Sequence, residues 1–80
     1  MMVYIGDLLN KIRWDKHLQQ EEYSIVYFDR IAEKLFEVPF TAMGRKKNFF
    51  VIQVHGMETH LPLHRIRQVK QKGKVIWERQ

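Results

Sequence analysis

The sequence predicts an α+β domain: one N-terminal helix packed on a strongly curled, mostly antiparallel sheet of about five short strands. Three observations predict it. The first apolar residues recur with the period of a helix. After residue 22, apolar and aromatic residues come in short strand-like runs. Turn residues separate those runs at close intervals, so successive strands fold back on one another. The chain has 80 residues, enough for one domain spanning 1–80 and not for two. With so few residues, the sheet is expected to curl strongly, toward a partly open barrel.

Ile5, Leu8, Leu9 and Ile12 fall at i, i+3, i+4 and i+7, one apolar stripe of a helix from about Ile5 to Asp15. Asp7 stands in the first turn, where a negative charge suits the positive helix end. It also precedes Lys11 by four residues, the favourable order for an ion pair. Trp14 lies near the end of the helix; like Trp77 it could stack a base, but a core anchor is the favoured expectation for both. Residues 17–22 are polar and read as a connection. The run Tyr23 to Arg30 reads as a strand with apolar bulk on both faces, hence a central one. Leu35 to Phe40 reads as a second strand, which Pro39 either ends or confines to an edge.

Residues 42–48 carry Gly44 and three successive bases, and are expected to form a mobile loop. Phe49 to His55 is a third strand, followed by a turn at Gly56. Thr59 to Leu63 is expected to pair back, with Pro62 limiting its length. Residues 66–71 and 74–79 flank Lys72-Gly73, a hairpin turn with glycine in the left-handed position.

Composition narrows the chemistry. There is no cysteine, which excludes disulfides, thiolate zinc sites and cysteine nucleophiles. That absence fits a reducing compartment, and a cytoplasmic protein is expected. Hydrophobic residues at 45% and charged residues at 29% make a globular balance. No apolar run is long enough to cross a bilayer, and no signal-peptide pattern is seen. The formal net charge is +5, unevenly spread. Residues 1–37 hold five bases against seven acids; residues 38–80 hold nine bases against two acids, Glu58 and Glu78. A one-sided positive field attracts polyanions, so nucleic acid is favoured over a mere solubility device. A membrane surface ranks lower, because the basic half contains no amphipathic helix.

Few constellations could carry catalysis. His55, His60 and His64 invite a metal reading, but Pro62 breaks any helical spacing between the last two. On a strand those two would stand roughly 13 Å apart. Neither a glycine-rich phosphate loop nor a serine elbow is present. No enzyme activity, metal or cofactor is therefore expected. The pair His64-Arg65 puts an imidazole beside a guanidinium after a stiffening proline, and both can donate to phosphate oxygens. A structural turn tied down by the same two residues is an equal alternative. Asp29-Arg30 is a second adjacent pair. Strand neighbours point to opposite faces, so these two are expected to serve different partners, with a turn clamp or ion pair favoured.

Four segments together resemble a known family. They are Asp7-Leu-Leu-Asn-Lys-Ile-Arg-Trp-Asp15, Tyr27-Phe-Asp-Arg30, Leu61-Pro-Leu-His-Arg-Ile66 and Gly73-Lys-Val-Ile-Trp77. In this order, and over nearly the whole chain, they resemble the RNA cyclic-group end recognition domain, an archaeal and bacterial family long classed as a domain of unknown function. Leu61 stands where the family usually has Ile, and residues 41–48 follow no family motif. The resemblance implies RNA binding, with recognition of processed or 2′,3′-cyclic-phosphate ends in RNA repair or processing. Carried over by position, it marks Tyr27, Asp29, Arg30, His64 and Arg65.

The reading is a non-catalytic RNA-binding domain for single-stranded 3′ ends, acting alone or with a separate RNA-processing enzyme. Arg65 and Arg30 would hold a terminal phosphate and His64 would add a hydrogen bond. Lys46, Lys47, Arg67, Lys70, Lys72 and Lys74 would track the RNA backbone. Its rival is a protein-interaction module docking an acidic partner through the basic half. A third reading is a cryptic phosphoesterase using His60 or His64.

Overall fold

The computed structural model describes residues 4–54 and 56–79. Helix α1 spans Ile5–Trp14, one residue short of the expected end. Its stripe is buried at Ile5, Leu9 and Ile12, with Leu8 packed against the core from one side. Asp15 takes extended backbone and ends the helix.

Seven strands follow among the described residues: β1 (Tyr23–Asp29), β2 (Lys34–Pro39), β3 (Gly44–Arg45), β4 (Phe49–Val54), β5 (Met57–Pro62), β6 (Ile66–Gln71) and β7 (Lys74–Glu78). They do not make one strongly curled sheet of about five strands. They form two antiparallel sheets, one ordered β2-β1-β6-β7 and the other β3-β4-β5. Neither sheet is strongly curled.

The physical reason lies in the two prolines. Pro39 is the last residue of β2 and Pro62 the last of β5, because neither can donate to a continuing ladder. Each is followed by a buried apolar residue, Phe40 or Leu63, that begins a single 3₁₀ turn. At the first turn the chain leaves the larger sheet; at the second it returns. The core therefore fills the space shared by α1 and both sheets. It includes Tyr23, Ile25 and Tyr27 from β1, Phe50 and Ile52 from β4, Ile66 and Val69 from β6, and Trp77 from β7.

Strand β1 is central, paired with β2 and β6. Its outer face also buries Val26, as apolar bulk on both faces implies. Irregular registers at Val26/Tyr27 and Val69/Lys70 bend the larger sheet locally. The Lys72-Gly73 turn has positive φ at both residues, 52° and 79°, as a two-residue hairpin turn of this hand requires.

Residues 42–48 are not a plain loop. Gly44 and Arg45 pair with Val51 and Phe50. The turn is closed by Lys46 N–H donating to Phe49 O at 2.9 Å. Arg45 Nη1 donates to Lys47 O at 2.7 Å and also to Lys46 O, holding the turn from inside. The backbone carbonyls of the basic run thus have a partner that the sequence supplies one residue earlier.

Phe50 has no exposed surface and sits where the two sheets and the Tyr27 ring converge. Phe50→Ala should destabilise the fold by about 3–5 kcal/mol, most of what a domain this size has. A denaturant midpoint unchanged by this substitution would contradict the shared core.

Candidate functional site

The end of β1, the β1–β2 turn, β5 and the corner after Pro62 enclose a cavity of about 390 Å³. Its walls include Tyr27, Phe28, Asp29, Arg30, Leu61, Pro62 and Arg65. Four of the five residues marked from the sequence as end-binding therefore meet in one place. Arg30 is the first residue past β1, so strand alternation no longer separates it from Asp29, and both line the same cavity. The expectation of different faces fails for that reason.

Asp29 Oδ1 accepts the backbone N–H groups of Ile31 and Ala32 at 2.9 and 3.1 Å. One carboxylate oxygen thereby clamps the turn that carries Arg30. Tyr27 is buried, edge-on to Phe50 at 5.8 Å and tilted against Phe36 at 6.0 Å. Burial, and then the charge of Asp29, push its phenol above the ordinary value of 10.0. Near neutrality Tyr27 is a neutral hydroxyl at the cavity wall. The rim carries Ile31, which is 97% exposed.

Arg65 ends the 3₁₀ turn Leu63–Arg65. Its Nε is buried without a hydrogen-bond partner. The turn itself is held from behind. Leu63 N–H donates to Asn48 O at 3.2 Å. Arg79 donates from Nε to Ile66 O at 2.9 Å and from Nη2 to Leu63 O at 3.3 Å. Its guanidinium also lies 5.2 Å from the Trp77 ring centroid. Sequence reasoning did not single out Arg79. Only the pairing of β6 with β7 brings it to a corner so far back along the chain.

His64 does not share the cavity with Arg65. It is exposed and lines a neighbouring depression of about 380 Å³ with Tyr4, Asn48, Phe49 and Arg79. The two depressions adjoin at Pro62. His60 is exposed on β5, with Nε2 3.2 Å from Glu58 Oε2. His55 lies outside the described residues. No group of three or more metal-ligating side chains occurs among the described residues.

The six basic residues expected to track a backbone do not form one line. Lys70 pairs with Glu37 at 3.0 Å on the outer face of the larger sheet, and Lys72 with Glu22 at 3.5 Å. The Ser24 hydroxyl and the Lys70 ammonium hold the Glu37 carboxyl below its ordinary value. Arg67 stacks over Phe28, 5.6 Å from its centroid. Lys74 is exposed. Lys46 and Lys47 stand elsewhere, in a depression with Asn10, Arg13, Trp14 and Arg45. Trp14 is not a core anchor: it is 74% exposed, whereas Trp77 is buried as expected.

The segments that build the cavity and its supporting corner are those of a known family, and a family model matches residues 2–79. The chain belongs to the MJ1316 RNA cyclic group end recognition domain family. Relatives of this family include a UPF0248 protein of Metallosphaera sedula, 36% identical over 75 residues, covering 94% of this chain and 91% of the relative. Another UPF0248 protein, from Saccharolobus solfataricus, is 33% identical over 78 residues and covers 94% and 95%. No solved structure matches the chain. The family description names RNA ends, and the cavity brings together Tyr27, Asp29, Arg30 and Arg65 of the residues that the resemblance marks.

Because the folded Tyr27 phenol ionises above 10.0, the unfolded chain loses that proton first as pH rises. The resulting stability is full below about pH 10 and is lost as pH climbs through the folded value. Tyr27→Phe should therefore flatten the alkaline fall in denaturant midpoint relative to wild type. Parallel curves above pH 10 would show that the phenol is not held neutral.

Proposed function

We propose that this protein binds single-stranded RNA at its 3′ end and seats the terminal nucleotide in the cavity between the β1–β2 turn and the Pro62 corner. The observation that carries this reading is the meeting of Arg30 and Arg65 across apolar walls in a space of about 390 Å³. That volume suits one nucleotide and excludes a duplex. Apolar surface from Phe28, Leu61 and Pro62 offers a wall for ribose or base, and the guanidiniums offer forked donors for phosphate oxygens.

The family description names a cyclic group at an RNA end, which this reading takes as a cyclic phosphate, and charge explains what such selectivity demands. A cyclic phosphate carries about one negative charge and an open terminal phosphate nearly two. Attraction alone favours the open form. Selectivity for the ring must come from fixed donors and a wall against the ribose edge. The Asp29 clamp fixes the turn bearing Arg30, and the Arg79 clamp fixes the turn bearing Arg65. His64, in the adjoining depression, is assigned to the phosphate one step inward rather than to the end itself. The role is recognition: the carboxylate nearest the phosphate position has one oxygen committed to the turn, and the phenol stays protonated. An RNA repair or processing setting, with a separate enzyme acting on the bound end, follows from that role.

The test compares RNAs identical except for a cyclic phosphate, an open phosphate or a hydroxyl at the 3′ end, assayed for binding and turnover. Wild type should prefer the cyclic end and release it unchanged. Arg65→Lys keeps the charge but loses the fork, and should reduce the preference about ten-fold. Its melting midpoint is checked first, because the corner is structural. Equal affinities for all three ends would remove end recognition.

Salt dependence gives a second measurement. Lys46→Gln with Lys47→Gln should reduce the log–log salt slope by about 1.4, since each phosphate contact on a single strand contributes about 0.7. Lys70→Gln with Lys72→Gln should reduce it less, because both already neutralise carboxylates. Binding indifferent to salt would favour an acidic protein partner instead.

A further inference from the structure

Trp14 is the most exposed aromatic side chain described, 74% accessible at the C-terminal end of α1. Of the large apolar side chains that the core leaves in water, Trp14 is the largest. Its surroundings are cationic. The Arg13 guanidinium lies 5.6 Å from the ring centroid. Arg45, Lys46 and Lys47 complete the same depression of about 410 Å³. Among the described residues, neither Arg13, Lys46 nor Lys47 forms an ion pair with a carboxylate.

The patch is built rather than incidental. Gly6, Asn10 and Arg13 follow one another along one face of α1, beside the buried stripe. A side chain at Gly6 would come within 3.1 Å of Arg45 Nη2 and 2.6 Å of the Tyr4 ring, so glycine admits Arg45 against the helix. Arg45 in turn fixes the carbonyls of Lys46 and Lys47. The two ammonium groups are thus carried on an ordered turn beside the indole.

We propose that this patch is a second nucleic-acid subsite, in which a base of single-stranded RNA stacks on Trp14 while Arg13, Lys46 and Lys47 face its phosphates. An aromatic face among unpaired cations is the arrangement that binds single strands without reading sequence. A lipid surface is the poorer occupant. Membrane-bound helices insert an apolar face, and the apolar face of α1 is spent on the core. This subsite rests on the reading of the protein as an RNA binder.

The chain itself leads from this subsite toward the end cavity. Asn48, next in chain to Lys47, lines the His64 depression, which meets the end cavity at Pro62. Tyr4 and Ile5 line that middle depression at one end of α1, and Trp14 stands at the other. The helix between spans roughly 13 Å. At roughly 3.4 Å per stacked nucleotide, Trp14 would meet a base about four positions beyond the one at the middle depression.

The experiment measures affinity for two RNAs bearing the same 3′ cyclic phosphate, a dinucleotide and an oligomer of about eight nucleotides, with wild type, Trp14→Ala and Trp14→Phe. Trp14→Ala should weaken the oligomer about ten-fold and leave the dinucleotide unchanged, while Trp14→Phe keeps most of the affinity. The side chain is exposed, so melting midpoints should coincide. An oligomer indifferent to Trp14→Ala overturns the subsite. Equal losses on both RNAs overturn it too, since they would make Trp14 part of the end cavity. A wild type that ignores both RNAs but binds anionic phosphatidylserine vesicles through Trp14 overturns this proposal and the RNA reading together. If the oligomer needs Trp14 yet wild type binds oligomers with cyclic-phosphate, open-phosphate and hydroxyl 3′ ends equally, the subsite stands and end recognition alone fails.

Discussion

Two prolines govern this structure. Pro39 and Pro62 each terminate a strand with nearly identical extended backbone, φ −62° and ψ 145° for one, φ −63° and ψ 148° for the other. A ring without an N–H cannot extend the ladder, so the chain must turn. At both places it turns by burying the next side chain, Phe40 or Leu63, each only 5% exposed. The turns close alike, with Met43 N–H donating to Phe40 O and Ile66 N–H donating to Leu63 O. These corners insert a three-stranded sheet between β2 and β6 and leave one core shared beneath both sheets. The end cavity lies at the second corner, so the same proline that sets the topology also sets where Arg65 stands.

Charge is redistributed by that topology. Along the chain, the first half is acidic and the second basic, as if the molecule had two poles. Folding lays β1 between β2 and β6, and the acids of one half meet the lysines of the other. Glu37 reaches Lys70, and Glu22 reaches Lys72. These are partly exposed pairs and add little stability. Their larger effect is subtraction. They neutralise two lysines of the basic half, whereas Arg13, Lys46 and Lys47 beside Trp14 have no carboxylate partner among the described residues.

Much of this was legible in the residues. The period of Ile5, Leu9 and Ile12 gives the helix and its buried face; alternation in Tyr23, Ile25 and Tyr27 gives the inner face of β1. Positive φ at Gly73 follows from its place in the turn. The division into two sheets was not legible, because a proline says that a strand ends but not which neighbours the next strand will find. The two-residue strand β3 was hidden for a similar reason: Gly44 and three bases carry no alternation. Trp14 differs again. Nine residues beyond Ile5, it lies opposite the buried stripe on a helical wheel. Tryptophan's general preference for cores points inward, but that register points outward, and the register decides. Arg79 could not have been found, since its partners are carbonyls, and a carbonyl leaves no trace in a sequence.

The placement of both proposed sites follows from size. A domain of 80 residues spends the inner faces of its sheets and one helix face on a single core. Recognition is left to corners and element ends, where backbone is normally least constrained. Here those ends are constrained by side chains acting on backbone groups. Asp29 caps the N–H groups of the β1–β2 turn, Arg79 takes the carbonyls of the Pro62 corner, and Arg45 takes those of the basic turn. Each of these residues gives up a charged or polar end to fix a neighbouring one: Asp29 for Arg30, Arg79 for Arg65, Arg45 for Lys46 and Lys47. A donor held in place before the ligand arrives loses less freedom on binding. The small core thus supplies stability, and a set of backbone clamps supplies the rigidity that the proposed recognition of a phosphate requires.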